Sequence, residues 1–255
     1  MKIIVFISLN LILLLPITSK AIVNMEGLHF EKESHRFTAD MDITVSGTSG
    51  NSVSSKVAVN TQFNWKAPES INMALFGYQY GENKNVRNIN KYFLHYRHIH
   101  KFKGRIDWEI FTQYEENEFV RLSYRGLVGA GFRYHALNHE SDNAYLGFGI
   151  FQSKEKIKEI SGLTDDGVEE LTRGNFYLMS KHKLTSSINY SNVLYYQPNL
   201  NEMADFRALF SAKLDFLIKD GVKFRLSLDV EHDSQPSLTV KETDVSYMSG
   251  LLLSF

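Results

Sequence analysis

Val245-Ser246-Tyr247-Met248-Ser249-Gly250-Leu251-Leu252-Leu253-Ser254-Phe255 alternates apolar and polar residues up to a terminal phenylalanine. Successive side chains of a β-strand point to opposite faces. Val245, Tyr247, Leu251, Leu253 and Phe255 therefore share one face, and only Ser249 interrupts it. A chain that stops inside such a strand has the form of a bacterial outer-membrane β-barrel, in which the last strand closes the cylinder and carries the assembly signal. Tyr247, Leu251, Leu253 and Phe255 are the candidate signal residues.

The same period of two recurs upstream. Phe37, Ala39, Met41, Ile43 and Val45 oppose Thr38, Asp40, Asp42, Thr44 and Ser46. Val53, Val57, Val59, Phe63 and Trp65 oppose Ser54, Lys56, Asn60, Gln62 and Asn64. Farther along, the apolar face takes even numbers: Ile106, Trp108 and Ile110; then Val120, Leu122, Tyr124, Val128, Ala130, Phe132 and Tyr134; then Phe206 to Ile218 and Val222 to Val230. About twelve strands result, an even number as bacterial single-chain barrels require. Many keep the alternation for ten residues or more, the length of a tilted spanning strand of about 9–11 residues.

Connections agree with this reading. After the first twenty residues proline occurs only at Pro68, Pro198 and Pro236, between expected strands, because proline cannot donate to a ladder. Lys219-Asp220-Gly221 and Lys103-Gly104-Arg105 are expected tight turns on the periplasmic side, the first pairing Ile218 with Val222. Longer connections are expected outside, at Gly81–Asn88, Lys154–Gly174, Gln197–Asp205 and His232–Glu242.

The chain has 255 residues, a formal net charge of −1 and no cysteine. Near-neutral charge gives no nucleic-acid footprint, and the lack of thiols excludes a disulfide framework and thiolate chemistry. Residues are 43% hydrophobic and 13% aromatic, yet apolar side chains are spread at every second position, which hides a barrel from a hydropathy plot. Lys2, the apolar run Ile3–Leu15, Pro16 and Ser19-Lys20-Ala21 read as a signal peptide over residues 1–21, cleaved after Ala21. The run is too short for a spanning helix of about 20 residues. Residues 22–255 then form one domain. The competing architecture is a soluble periplasmic barrel with its apolar face inward. Strand length, charges on the polar face and aromatics near strand ends (Phe37, Trp65, Tyr134, Tyr196, Phe206, Phe255) favour the membrane form.

Four stretches carry a resemblance. They are Ser46–Ser52 with Asn64-Trp65-Lys66; Asn90-Lys91-Tyr92 with His95-Tyr96-Arg97; Tyr114–Phe119 with Arg121–Gly126, Gly129, Gly131, Arg133 and Tyr134; and Tyr195-Tyr196-Gln197-Pro198. They are similar to the salt-induced outer-membrane protein family, a family of unknown function, from about Thr38 to Phe255. The resemblance implies an outer-membrane barrel and a link to salt stress. It brings no catalytic residues.

Inward charges are the candidate functional groups: Asp107, Glu109, Arg121, Arg125 and Arg133 on two consecutive strands, and Asp215 with Arg225 on another pair. Pairing Glu115 with Phe119 would set Glu109 opposite Arg125 and Gln113 opposite Arg121; the other hairpin sets Asp215 opposite Arg225. Such groups either select ions in a channel or pair off and plug a narrow lumen. Gly129 and Gly131 also face inward, making room for arginines or marking a bend. Glu115, Glu116 and Glu118 crowd an outer turn, where a divalent cation site competes with a solvated loop tip. Asp165-Asp166-Gly167 with Glu170 is too short for a standard calcium loop. His98 and His100 share a face away from His95 and read as girdle residues rather than zinc ligands. His232, Asp233 and Ser234 are the triad-like group that a lipid-modifying hydrolase would need, although adjacent residues seldom converge.

The expectation is an all-β transmembrane antiparallel barrel in the outer membrane of a Gram-negative bacterium, with a narrow or plugged polar lumen. A pore is the leading function and a lipid-modifying hydrolase the alternative. No cofactor, metal or catalytic residue is expected. Partners are the outer-membrane bilayer, periplasmic chaperones and the barrel-assembly machinery, not nucleic acid.

Overall fold

The computed structural model describes residues 37–49, 53–102, 104–164 and 167–255; the expected signal peptide lies outside them. Twelve antiparallel strands form a closed barrel in which each strand pairs with its sequence neighbours and the last returns to the first. They are β1 (Phe37–Thr48), β2 (Ser54–Ala67), β3 (Ser70–Asn83), β4 (Val86–Lys101), β5 (Ile106–Asn117), β6 (Leu122–Asn138), β7 (Asp142–Ile157), β8 (Gly167–Lys183), β9 (Ile188–Pro198), β10 (Phe206–Lys219), β11 (Val222–Asp233) and β12 (Thr243–Ser254).

Alternation resolves as lipid-facing outside and polar inside. Thr38, Asp40 and Thr44 of β1 are buried while Phe37 and Val45 are exposed. Phe132, Phe148, Leu194, Leu226 and Tyr247 all lie on the outer surface. Aromatic bands lie on that surface at both ends, as membrane interfaces favour. At the periplasmic end Phe37, Phe63 and Trp65 pack with centroids 5.5–6.2 Å apart. His98 and His100 join the same band, 5.4 and 5.5 Å from Trp108. At the opposite end Phe206 stacks between Tyr196 and His232, at 5.4 and 5.2 Å.

Several local expectations are corrected. Gly81–Asn88 is not a long loop: β3 and β4 run through it to a two-residue turn at Lys84 and Asn85, whose φ of 50° and 61° suit a tight hairpin. The strands flanking Lys154–Gly174 likewise extend to Ile157 and from Gly167. In the β10–β11 hairpin the ladder runs as expected through Leu217↔Lys223, but Lys219 rather than Ile218 pairs with Val222. Ile218 is a bulge, because Gly221 at φ 74° completes the turn with Asp220 alone. Lys103 of the other expected turn lies outside the described residues, and Gly104 there has φ 117°. Val120 and Leu122 do not face lipid: they are buried with Ile157 beneath the outer loops.

Two seams differ in completeness. β1 and β2 pair along the whole of β1, from Phe37↔Trp65 to Thr48↔Ser54. β1 and β12 pair only from Asp40↔Ser254 to Ile43↔Leu251, with Ala39 and Phe255 exchanging backbone hydrogen bonds of 3.1 and 2.8 Å below that.

Candidate functional site

The lumen is built by inward positions that are even-numbered in β1, β2 and β12 and odd-numbered in β3 to β11. Part of it is apolar. Met73, Leu75, Ile99, Tyr145, Tyr177, Met179, Val193, Tyr195 and Leu209 form one buried cluster toward the middle and periplasmic half. Tyr177 of this cluster and Phe111 beside it lay their rings over wall positions that lack a side chain. A Cβ on Gly147 would sit 1.9 Å from the Tyr177 ring, and one on Gly129 would sit 2.5 Å from Phe111. Gly129 thus makes room for an aromatic ring rather than an arginine, and a Cβ on Gly131 would meet the Phe148 carbonyl at 2.6 Å.

Charges fill the rest of that wall in an ordered ladder. Asp107 pairs with His135 at 2.7 Å. Above it Glu109 receives Arg133 at 3.2 Å and Arg97 at 3.4 Å. The Tyr177 hydroxyl bonds Glu109 at 3.1 Å, and Arg133 donates to Tyr177 at 2.9 Å. Both guanidiniums also lie over aromatic faces, Arg97 on Phe111 at 5.5 Å and Arg133 on Tyr145 at 5.3 Å. Toward the outer end the chain continues Glu115–Arg125–Glu155–Arg207–Asp233. Arg125 bonds Glu115 and reaches Glu155 at 2.8 Å. Arg207 reaches Glu155 at 2.7 Å and Asp233 at 2.9 Å. Near the outer end Arg173 makes two bonds of 2.8 Å to Asp205 in the β9–β10 connection. Charges this deeply buried persist only when paired and hydrogen-bonded.

Six of the seven expected lumen charges are therefore inside, but their partners differ. Glu115, not Glu109, lies opposite Arg125; Glu109 faces Gly131 and Gln113 faces Leu127. The expected hairpin fails because Glu118–Val120 form a 3-10 turn and Arg121 is left-handed at φ 59°. Arg121 consequently leaves the lumen and donates to the carbonyls of Lys158 and Leu238 at 2.9 and 3.0 Å, stapling three outer loops together. Asp215 does face Arg225, with bonds of 2.6 and 2.7 Å, and Arg225 also reaches Asp42 at 3.1 Å. Arg97, Glu155, Arg173 and Arg207 were not singled out from the sequence as lumen charges, and Asp233 was read as part of the triad-like group instead. Each sits on the inward parity of its strand, the one signal that marks it.

The other candidates disperse. Glu115 is inward, Glu116 accepts from Tyr114 at 2.6 Å outside, and Glu118 accepts from Arg87 and Asn90. The Asn90 amide and then Arg87 hold the Glu118 carboxyl below its usual range. Asp165 and Asp166 lie outside the described residues, and among those described no His, Asp or Glu cluster suits a metal. His95 is inward and bonds Gln113 at 3.2 Å. His232 points out to Thr243 at 2.9 Å, Asp233 points in to Arg207, and Ser234 bonds the Ala204 carbonyl at 2.9 Å. These three do not converge, so the triad-like reading fails on geometry. Tyr247, Leu251 and Phe255 lie on the outward face of β12, exposed to lipid, and Leu253 shares their parity.

A cavity of about 150 Å³, lined by charged and by apolar side chains, lies beside the ion-paired wall. It is bounded by Asp40 and Asp42, Lys91, Lys213, and Arg225, Asp229 and Glu231. Lys91 approaches Glu231 at 3.8 Å.

A family model matches residues 41–255. The chain belongs to that family, described as protein of unknown function, DUF481. The DUF481 description carries neither an activity nor the expected salt response. No curated protein matches this DUF481 chain. Among solved structures the NanC porin is 7% identical with a TM-score of 0.52, covering 85% of this chain and 98% of that one. The translocator domain of autotransporter NalP from Neisseria meningitidis is 10% identical with a TM-score of 0.48, covering 88% and 90%. The KdgM porin in complex with disordered oligogalacturonate is 9% identical with a TM-score of 0.46, covering 86% and 99%. At such identities the NanC likeness speaks for the fold, an outer-membrane β-barrel, and for nothing finer.

Proposed function

We propose that the protein is a narrow channel of the outer membrane for small polar solutes, with most of its bore occupied by an internal ion-paired and aromatic wall. The observation that carries this is the residual cavity, which is lined by both signs of charge: Lys91, Lys213 and Arg225 face Asp40, Asp42, Asp229 and Glu231. Rings of charged side chains set which solutes a pore admits. A mixed lining disfavours bulk flow of either ion sign and favours solutes that carry both.

Planar-bilayer recording tests the proposal. Small discrete openings with weak ion preference are expected. Lys213→Glu, which reverses a charge on the cavity wall, should move that preference toward cations by severalfold. A silent bilayer, or an unchanged preference in the variant, would count against a conducting lumen. Asp215→Asn is the less informative choice because Asp215 is tied up by Arg225.

We also propose that periplasmic chaperones and the assembly machinery read the outward face of β12. Phe255 adds the last hydrogen bonds of the seam, to Ala39. Its deletion should lower the assembled fraction, seen as loss of heat-resistant gel migration. Unchanged migration would remove this role.

A further inference from the structure

Beyond Ile43↔Leu251 the β1–β12 ladder stops. Neither strand ends there. β1 stays paired to β2 as far as Thr48↔Ser54, and β12 stays paired to β11 from His232↔Thr243. The outer half of this seam is a slit between two strands, each held along its far edge. Val45 and Tyr247, on its outward rims, are 73% and 86% exposed. Backbone groups left unpaired in hydrocarbon cost several kcal/mol each, and irregular edges persist at membrane depth only where they meet protein or a water-filled cavity. The lumen cavity meets this requirement: its wall includes Asp42 and Leu252, the pair next below the end of the ladder, and Met248, which lies beyond it on β12.

We propose that the slit is a side entrance from the outer leaflet to the lumen cavity, and that it takes a single-chain amphiphile with a zwitterionic headgroup. The occupant follows from the two environments it must join. Val45, Tyr247 and Met248 line the slit with apolar surface suited to an alkyl chain. Behind it the cavity presents Lys213 and Lys91 together with Asp42 and Asp229. The Asp229 Oδ1 oxygen is buried and accepts no hydrogen bond from the described residues. A buried carboxylate oxygen in that condition costs free energy until a donor or a cation reaches it. The cationic end of the headgroup brings that charge to Asp229, and its anionic end meets Lys213. This inference extends the channel reading but needs no ion flow, so the two can fail separately.

The chain contains no cysteine, so engineered pairs report without background. Continuing the seam register past Ile43 sets Ser46 opposite Met248. In dodecyl maltoside, Met41→Cys/Leu253→Cys should oxidise readily, and Ser46→Cys/Met248→Cys at least about fivefold more slowly, because the Cα atoms must first come within disulfide range. Dodecylphosphocholine should slow the second pair by at least about a further fivefold and leave the first unchanged, since only a seated chain holds the slit apart. Glycerophosphocholine, which has the headgroup without a chain, should do nothing. Adding Asp229→Asn should remove most of the protection. Equal oxidation of the two pairs would mean a zipped seam and overturn the proposal. So would protection by glycerophosphocholine alone, or protection that survives Asp229→Asn. A disulfide-linked dimer through positions 46 and 248 would assign the slit to strand pairing between copies instead.

Discussion

Replacing Glu155 with glutamine is expected to destabilise the folded barrel by about 3–5 kcal/mol. Glu155 is fully buried and lies between two arginines, bonded to Arg125 at 2.8 Å and to Arg207 at 2.7 and 3.0 Å. Glutamine keeps the shape but removes the charge that both guanidiniums share, leaving cations in a desolvated wall with Glu115 and Asp233 as their remaining anions. The cost arises from the charges left behind, and it exceeds what the intact pair contributes. Glu170→Gln is the matched control. Its partner Lys154 is 2.8 Å away, but both side chains are more than half exposed, so a change under about 1 kcal/mol is expected. Denaturant unfolding in lipid vesicles measures both. Equal midpoints for the two variants would mean that the wall is hydrated and the ladder is not a structural plug.

Leu226→Arg should cost about 2–4 kcal/mol, whereas Phe224→Arg, nearer the periplasmic interface, should cost only about 0–1 kcal/mol. Both residues face outward on β11, with 41% and 38% of their surface exposed, so neither substitution overfills the lumen. The difference comes from depth: a guanidinium near the bilayer midplane must be dragged toward water, and one near the interface already reaches it. Refolding into thin and thick vesicles, followed by denaturant titration, reads the gradient. Two equal penalties would mean that no hydrocarbon touches this face.

The residues themselves explain which features were legible in the sequence. Parity along each strand marks its face, because the period of two leaves no freedom; Phe210 out and Ser211 in follow from it directly. Register depends on the turn. Where Asp220-Gly221 supplies an obvious left-handed residue, the Asp215–Arg225 pair is readable in advance. Where Arg121, a non-glycine, takes that conformation, the β5–β6 register shifts and every facing partner changes. Partners from strands that are not neighbours lie further from reach. Arg207 of β10 meets Glu155 of β7, and Arg225 of β11 meets Asp42 of β1. Alternation says that all four point inward but not at which height around the cylinder they stand. The flat rings over Gly129 and Gly147 are hidden for the same reason, since each needs a neighbour on the next strand.

The orientation of the wall can be measured without any substitution. Trp65 and Trp108 are the only tryptophans, and both belong to the aromatic band at the periplasmic end of the outer surface. In vesicles of brominated phosphatidylcholine, strong quenching is expected when bromine sits near the headgroup end of the acyl chain, and weak quenching when it sits near the terminal methyl. Tryptophan fluorescence that is identical in brominated and ordinary lipid would place both rings away from hydrocarbon and contradict a barrel with its apolar face turned to the membrane.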